Sequence, residues 1–116
     1  MAFDDCVFCK IVAKKMPCEM EYEDDELAVF WDINPQAPVH LLIVPKDHIV
    51  HLTDFTEKNS HLLGKMMEIA EDLAQKMNLL EKGYRIVLNE GKDAGQSIFH
   101  FHLHILGGRR LMWPPG

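Results

Sequence analysis

The chain has 116 residues, 47% of them hydrophobic and 26% charged, the make-up of one globular domain over residues 1–116 and not of a disordered chain. A formal net charge of −6 with neutral histidines argues against general nucleic-acid binding, which needs a basic face, although one pocket can still take a phosphate-bearing ligand. No apolar run reaches the roughly 18 residues that span a bilayer, and the N-terminal Met-Ala-Phe-Asp-Asp-Cys carries acid where a secretory leader carries base, so a cytoplasmic protein with no membrane partner is expected.

In chain order, Cys6 and Cys9 come first, too close together to staple a useful loop. With Cys18 the cysteines number three, and an odd count with a Cys-x-x-Cys pair in a reducing compartment reads as a metal or redox motif. Cys18 itself reads as an ordinary small residue. Residues 7–15 predict a short helix, stopped before Met16-Pro17. Residues 19–23 alternate polar and apolar, and residues 27–31 form a buried-type run. Asp24-Asp25-Glu26 supplies the turn between these two strands. Asn34-Pro35-Gln36-Ala37-Pro38 is a loop, its prolines unable to donate to a ladder. Residues 39–44 predict a third strand, ended by Pro45.

Residues 60–77 carry the strongest helical pattern. Leu62, Leu63, Met66, Met67, Ala70, Leu73, Ala74 and Met77 recur at three-and-four spacing, opposite Lys65, Glu68, Glu71, Asp72 and Lys76. This methionine-rich pattern reads as helix core. His51 and His61 flank a charged loop and read as surface residues. Gly83 marks a point the helix does not reach. Residues 84–89 predict a strand, residues 90–96 a loop, and residues 100–106 a last strand closed by Gly107-Gly108. The sum is an α+β domain: a mostly antiparallel five-stranded sheet, one long helix and a short N-terminal helix.

The last strand carries the chemistry. Alternation puts His100, His102 and His104 on one face and Phe101, Leu103 and Ile105 on the other. At a rise of about 3.3 Å per residue, the outer histidines of an extended strand stand about 13 Å apart and cannot share one metal ion. A nucleophile with helpers, spread along a phosphate and its leaving group, suits the row better.

The stretch His100-Phe101-His102-Leu103-His104-Ile105-Leu106 resembles the signature of the histidine triad family. So do Cys6-Val-Phe-Cys-Lys-Ile-Val, Glu23-Asp-Asp-Glu, the run from Asp32 to Lys46, Val87-Leu-Asn-Glu-Gly and Gly95-Gln-Ser. The ending Gly107-Gly108 to Trp113-Pro-Pro-Gly resembles the histidine triad nucleotide-binding branch in particular.

The resemblance implies hydrolysis of a purine nucleoside phosphoramidate by attack of His102 on phosphorus, through a nucleotidyl-histidine intermediate. It implies that His104 contacts the phosphate or leaving group, that His40 stands behind the triad, and that Ser97 helps protonate the leaving amine. Asn89 and the turn Gly95-Gln96-Ser97 would then bind phosphate oxygens, and Asp32 the ribose hydroxyls. Phe8, Phe30 and Ile33 would hold the base. Some members of this superfamily place zinc on a pattern like Cys6, Cys9, His48 and His100, which would make His100 structural; no cofactor is implied for the chemistry itself. A homodimer is also implied, with the tail reaching the partner's nucleotide site. Two other functions remain open from the residues, a dinucleoside polyphosphate hydrolase and a nucleotide-binding scaffold.

Overall fold

Runs of branched and aromatic residues buried on both faces make natural central strands. Two such runs, β2 (Leu27–Trp31) and β3 (Val39–Pro45), pair antiparallel inside the sheet. The structure, a computed structural model, describes residues 5–116; the acidic N-terminal stretch begins in residues 1–4, which lie outside the described residues. With β1 (Met20–Glu23), β4 (Tyr84–Val87) and β5 (Leu103–Gly107) the sheet has five strands in the order β1-β2-β3-β5-β4, every neighbour antiparallel. The α+β architecture expected from the sequence is the one found. The turn between β1 and β2 forms because Asp24 Oδ1 accepts from the amides of Glu26 and Leu27, each at 2.8 Å.

Residue parity decides which face of the sheet each side chain serves. Odd-numbered Leu27, Val29, Leu41, Ile43, Leu103 and Ile105 join Leu62, Met66, Ile69, Ala70 and Leu73 of helix α2 (His61–Lys76) in one core. Even-numbered Ala28, Phe30, Leu42 and Val44 join Phe8 and Ile11 of helix α1 (Val7–Val12) in a second core. His40, His102 and His104 share this even parity, which sets the site on the α1 side. Among the described residues no helix is long and apolar enough to cross a membrane.

Four expectations need correction. α1 ends at Val12, not at residue 15, because Lys14 takes the left-handed conformation at φ 63°. The Lys14 amide then donates to the Ile11 carbonyl and the Lys15 amide to the Lys10 carbonyl, a Schellman stop. α2 stops the same way: Asn78, at φ 59°, ends it five residues before Gly83. In α2 the buried member is Ile69, whereas Met67 is 51% exposed.

The last strand begins at Leu103, not at His100. Ile43 pairs with Leu103, so Phe101 falls opposite Pro45, which has no amide to offer. The Phe101 amide donates instead to the Ile49 carbonyl at 2.6 Å. The alternation nonetheless continues past the end of the ladder, with Phe101 in the α2-side core. Strand β4 likewise stops at Val87, two residues short of the predicted end.

Candidate active site

The backbone around the histidines fixes their tautomers. His102 Nδ1 lies 2.6 Å from the His100 carbonyl oxygen, and a carbonyl only accepts, so Nδ1 carries the proton. The lone pair of a neutral His102 is therefore on Nε2. Next to it, the Gln36 amide donates to His40 Nδ1 at 3.0 Å. His40 then holds its proton on Nε2 and donates it to His104 Nδ1 at 2.9 Å. That leaves His104 with Nε2–H. The His102 and His104 rings stand 5.0 Å apart, centroid to centroid.

Asp32 Oδ2 lies 3.4 Å from His40 Nε2, and its Oδ1 accepts from the Asn34 amide at 2.8 Å. Asp32, His40 and His104 thus bring possible ligand atoms within 4.8 Å of one another. The His40 and His104 rings meet head-on, however, their 5.2 Å centroid separation being spanned by a 2.9 Å contact between nitrogens. An N–H and a lone pair aimed at each other along that line make a hydrogen bond, not two ligands converging on a metal ion.

His102 and His104 face a cavity of about 350 Å³. Phe8, Phe30, Ile33, Asp32, Asn89, Gly95 and Ser97, all named by the family resemblance, line it too. Phe8 is also core, edge-on to Phe30 at 5.4 Å and to His102 at 5.0 Å. Ile33 sits at the rim, 93% exposed.

Gln96 does not join the cavity. Its Oε1 accepts from the Gly91 amide and its Nε2 donates to the Val50 carbonyl, so it braces the loop from inside. The amides of Gly95 and Gln96 are likewise spent on the carbonyls of Lys92 and Gly91. His40 stands behind His104, as expected. His100 does not reach the cavity; its buried ring turns away, and its carbonyl is what touches the site. Sequence reasoning missed Met16, Cys18, Ile11 and Leu42 in the wall. Leu42 was findable, since it shares parity with Phe30, whereas Cys18 is brought in by the chain's return from α1.

Behind this wall four side chains converge. Cys6 Sγ lies 3.3 Å from His100 Nδ1, Cys9 Sγ 3.2 Å from His48 Nδ1 and 3.5 Å from His100 Nδ1. All four ligand atoms are within 4.8 Å of one another. Zinc bonds of about 2.3 Å to sulfur and 2.0–2.1 Å to nitrogen set tetrahedral ligands roughly 3.3–3.8 Å apart, so two sulfurs and two imidazoles here fit that ion. His100 Nε2–H donates to the Pro45 carbonyl at 2.7 Å, which aims Nδ1 into the cage.

A family model described as "Scavenger mRNA decapping enzyme C-term binding" matches residues 5–112. A HIT-like protein of Synechococcus elongatus is 43% identical, the match covering 97% of this chain and 98% of that one. The chain belongs to the histidine triad (HIT) family. A HIT family hydrolase from Legionella pneumophila has the same fold, with a TM-score of 0.92 and 46% identity over 97% of this chain and 100% of its own. A zinc-bound histidine triad protein from Mycobacterium smegmatis follows at TM-score 0.81 and 34% identity, over 92% of this chain and 77% of its own.

In this HIT protein burial keeps the imidazoles neutral. It pushes His104 down to about 4, with His102 and His40 adding to the effect against Asp32. Burial also brings His100 to about 4 against the Pro45 carbonyl. It lowers His102 against the pull of the His100 carbonyl and Asp32, and lowers His40 against Asp32. Near neutral pH the site therefore offers one imidazole lone pair and one imidazole N–H side by side.

Proposed function

We propose that this HIT protein hydrolyses the phosphorus–nitrogen bond of purine nucleoside 5′-phosphoramidates. One observation carries the reading: His102 has its Nδ1–H tied to the His100 carbonyl at 2.6 Å while its ring lines an apolar-walled cavity. Nε2 then attacks phosphorus as the bond to the leaving nitrogen breaks, giving a nucleotidyl-histidine. His104 Nε2–H and the Ser97 hydroxyl, on residues lining the same cavity, would donate to the phosphate or the departing amine. Water attacks the same phosphorus, releasing the nucleoside monophosphate and returning His102. Phe8, Ile11 and Phe30 favour a flat base, and Asp32 in the same lining favours ribose hydroxyls. The cavity is within the range of small-molecule sites.

The Trp113-Pro-Pro-Gly ending supports placing the chain in the nucleotide-binding branch, and we further propose that it acts as a homodimer in the cytoplasm. The cage of Cys6, Cys9, His48 and His100 is proposed to hold zinc. Bound there, zinc would tie the start of α1 to the loop after β3 and to the approach to β5, and no reaction step passes through it.

Steady-state kinetics on an adenosine 5′-phosphoramidate beside a diadenosine polyphosphate test the reading. The amidate is expected to be the better substrate. His102→Ala should abolish its turnover while nucleoside monophosphate binding stays within about tenfold, since this side chain acts mainly in the transition state. Preference for the dinucleotide would make the protein a dinucleoside polyphosphate hydrolase. Binding without His102-dependent turnover would make it a nucleotide-binding scaffold.

A further inference from the structure

The loop from Asn89 to Ser97 brings Asn89, Gly95 and Ser97 into the cavity lining beside His102 and His104. Its own backbone does little to keep it there. Asn89 lies two residues beyond Val87, the last residue of β4 to pair with β5. The loop bends on Gly91 at φ +81° and Gly95 at φ +85°, residues with no side chain to pack. The Gly95 and Gln96 amides donate to the Lys92 and Gly91 carbonyls, which closes the loop on itself without fastening it to the body.

The fastening comes from one short segment, residues 49–52. Glu90 Oε1 accepts from the Leu52 amide at 2.7 Å, and Glu90 Oε2 accepts from His51 Nδ1 at 3.2 Å. Gln96 Nε2 donates to the Val50 carbonyl at 3.4 Å. Just downstream, the Phe101 amide donates to the Ile49 carbonyl at 2.6 Å.

An acid is a costly neighbour for a phosphate, since like charges repel. Glu90 does not line the cavity; its carboxylate is engaged on residues 51 and 52 instead. What a carboxylate offers is two acceptors on one stiff fork, able to grip a backbone N–H and an imidazole N–H together. An exposed ion pair with His51 alone would be worth little. The bond to the Leu52 amide is charge-assisted and ends on backbone, a fixed point.

We propose that Glu90 is a positioning residue for phosphate binding: its carboxylate anchors the loop 89–97 to residues 51 and 52 and so holds Asn89 and Ser97 against the phosphate. Glu90 acts through these two residues and touches no substrate. The inference rests on the reading of Asn89 and Ser97 as phosphate ligands and adds the group that keeps them in place.

The test compares wild type, Glu90→Ala and Glu90→Gln. Calorimetry gives the Kd of adenosine monophosphate and of adenosine, which has the same base and ribose and no phosphate. Kinetics on adenosine 5′-phosphoramidate give kcat and KM, and circular dichroism follows the fold. Without its anchor the loop spends only a fraction of its time in place, and affinity falls by that fraction. In Glu90→Ala the Kd of the monophosphate and KM should therefore rise about tenfold, with adenosine affinity and kcat within about threefold of wild type. Charge alone gives the opposite sign, because removing a carboxylate would tighten phosphate binding. Glu90→Gln loses the charge and keeps an acceptor for the Leu52 amide, so it should bind the monophosphate at least as tightly as wild type.

Unchanged or tighter monophosphate binding by Glu90→Ala overturns the proposal. So does equal weakening of both ligands, a Glu90→Gln as weak as Glu90→Ala, or a fold lost in Glu90→Ala, which would make the residue a structural staple. A wild type that binds the monophosphate no better than adenosine overturns it too, since the loop then holds no phosphate. If wild type turns over no phosphoramidate while the two affinities separate as expected, the proposed function fails and this inference stands.

Discussion

Gln36 shapes the site without its side chain. Its backbone amide makes Nδ1 of His40 an acceptor, which turns the His40 proton toward His104 and leaves His104 with a donor. A pH dependence of stability follows from the same buried rings. Burial holds His104 near 4, and His40 is lowered by burial as well, against about 6.5 for an unfolded histidine. Between those values the unfolded chain binds protons that the folded chain refuses. The stabilisation is therefore complete above about pH 6.5 and drains away as pH falls toward 4. Urea unfolding at pH 7.5 and 5.0 should show wild type losing stability on acidification, and His104→Gln losing less; equal losses would refute the assignment. Asp24 acts in a lower window. Burial alone would raise its carboxyl, but the Tyr22 hydroxyl, the Glu26 amide, Lys65 and the Leu27 amide together hold it well below the usual range. Its contribution is thus lost only as pH falls below about 4.

Single elements are held by their ends. β5 closes on Gly108 at φ +92°, where a Cβ would also meet Pro38 Cβ at 2.9 Å. Gly108→Ala should therefore cost about 1–3 kcal/mol in urea unfolding, the usual range for a forced backbone conformation; an unchanged midpoint would show that the turn relaxes freely. Local pattern made much of this legible. Leu27–Trp31 matched to the residue because a turn signal precedes it and Asp32 leads into a loop with two prolines. The histidine alternation placed His102 and His104 together because parity outlasts the hydrogen-bonded ladder. Met67 was misread because, at about 100° per residue, it falls just beyond the buried arc from Ile69 to Ala74. The contacts of His48 with Cys9, of Gln96 with Val50 and of His40 with His104 span 39, 46 and 64 positions. Such pairings come from strand register and loop packing, which no local periodicity encodes. The family resemblance named His48 and His40 all the same, and it also named Gln96, whose side chain instead braces the loop from inside.

The whole molecule is a sheet with a core on each face, and it leaves apolar surface uncovered. Trp113 is 79% exposed and Met112 67%, and the edge strand β4 is partnered on one side within the chain. The proposed homodimer would cover such surface. Light scattering is expected to give twice the chain mass. Deleting residues 111–116 should shift the preference between small and bulky amine leaving groups several-fold; a monomer, or identical kinetics after the deletion, would argue against a shared site. The parity of β5 also divides labour between folding and chemistry. Phe101, Leu103 and Ile105 pack under α2, while His102 and His104 point to the opposite face. Exchanging a reactive side chain need not disturb the α2-side core, so selection can rework catalysis on this strand while the scaffold is inherited unchanged.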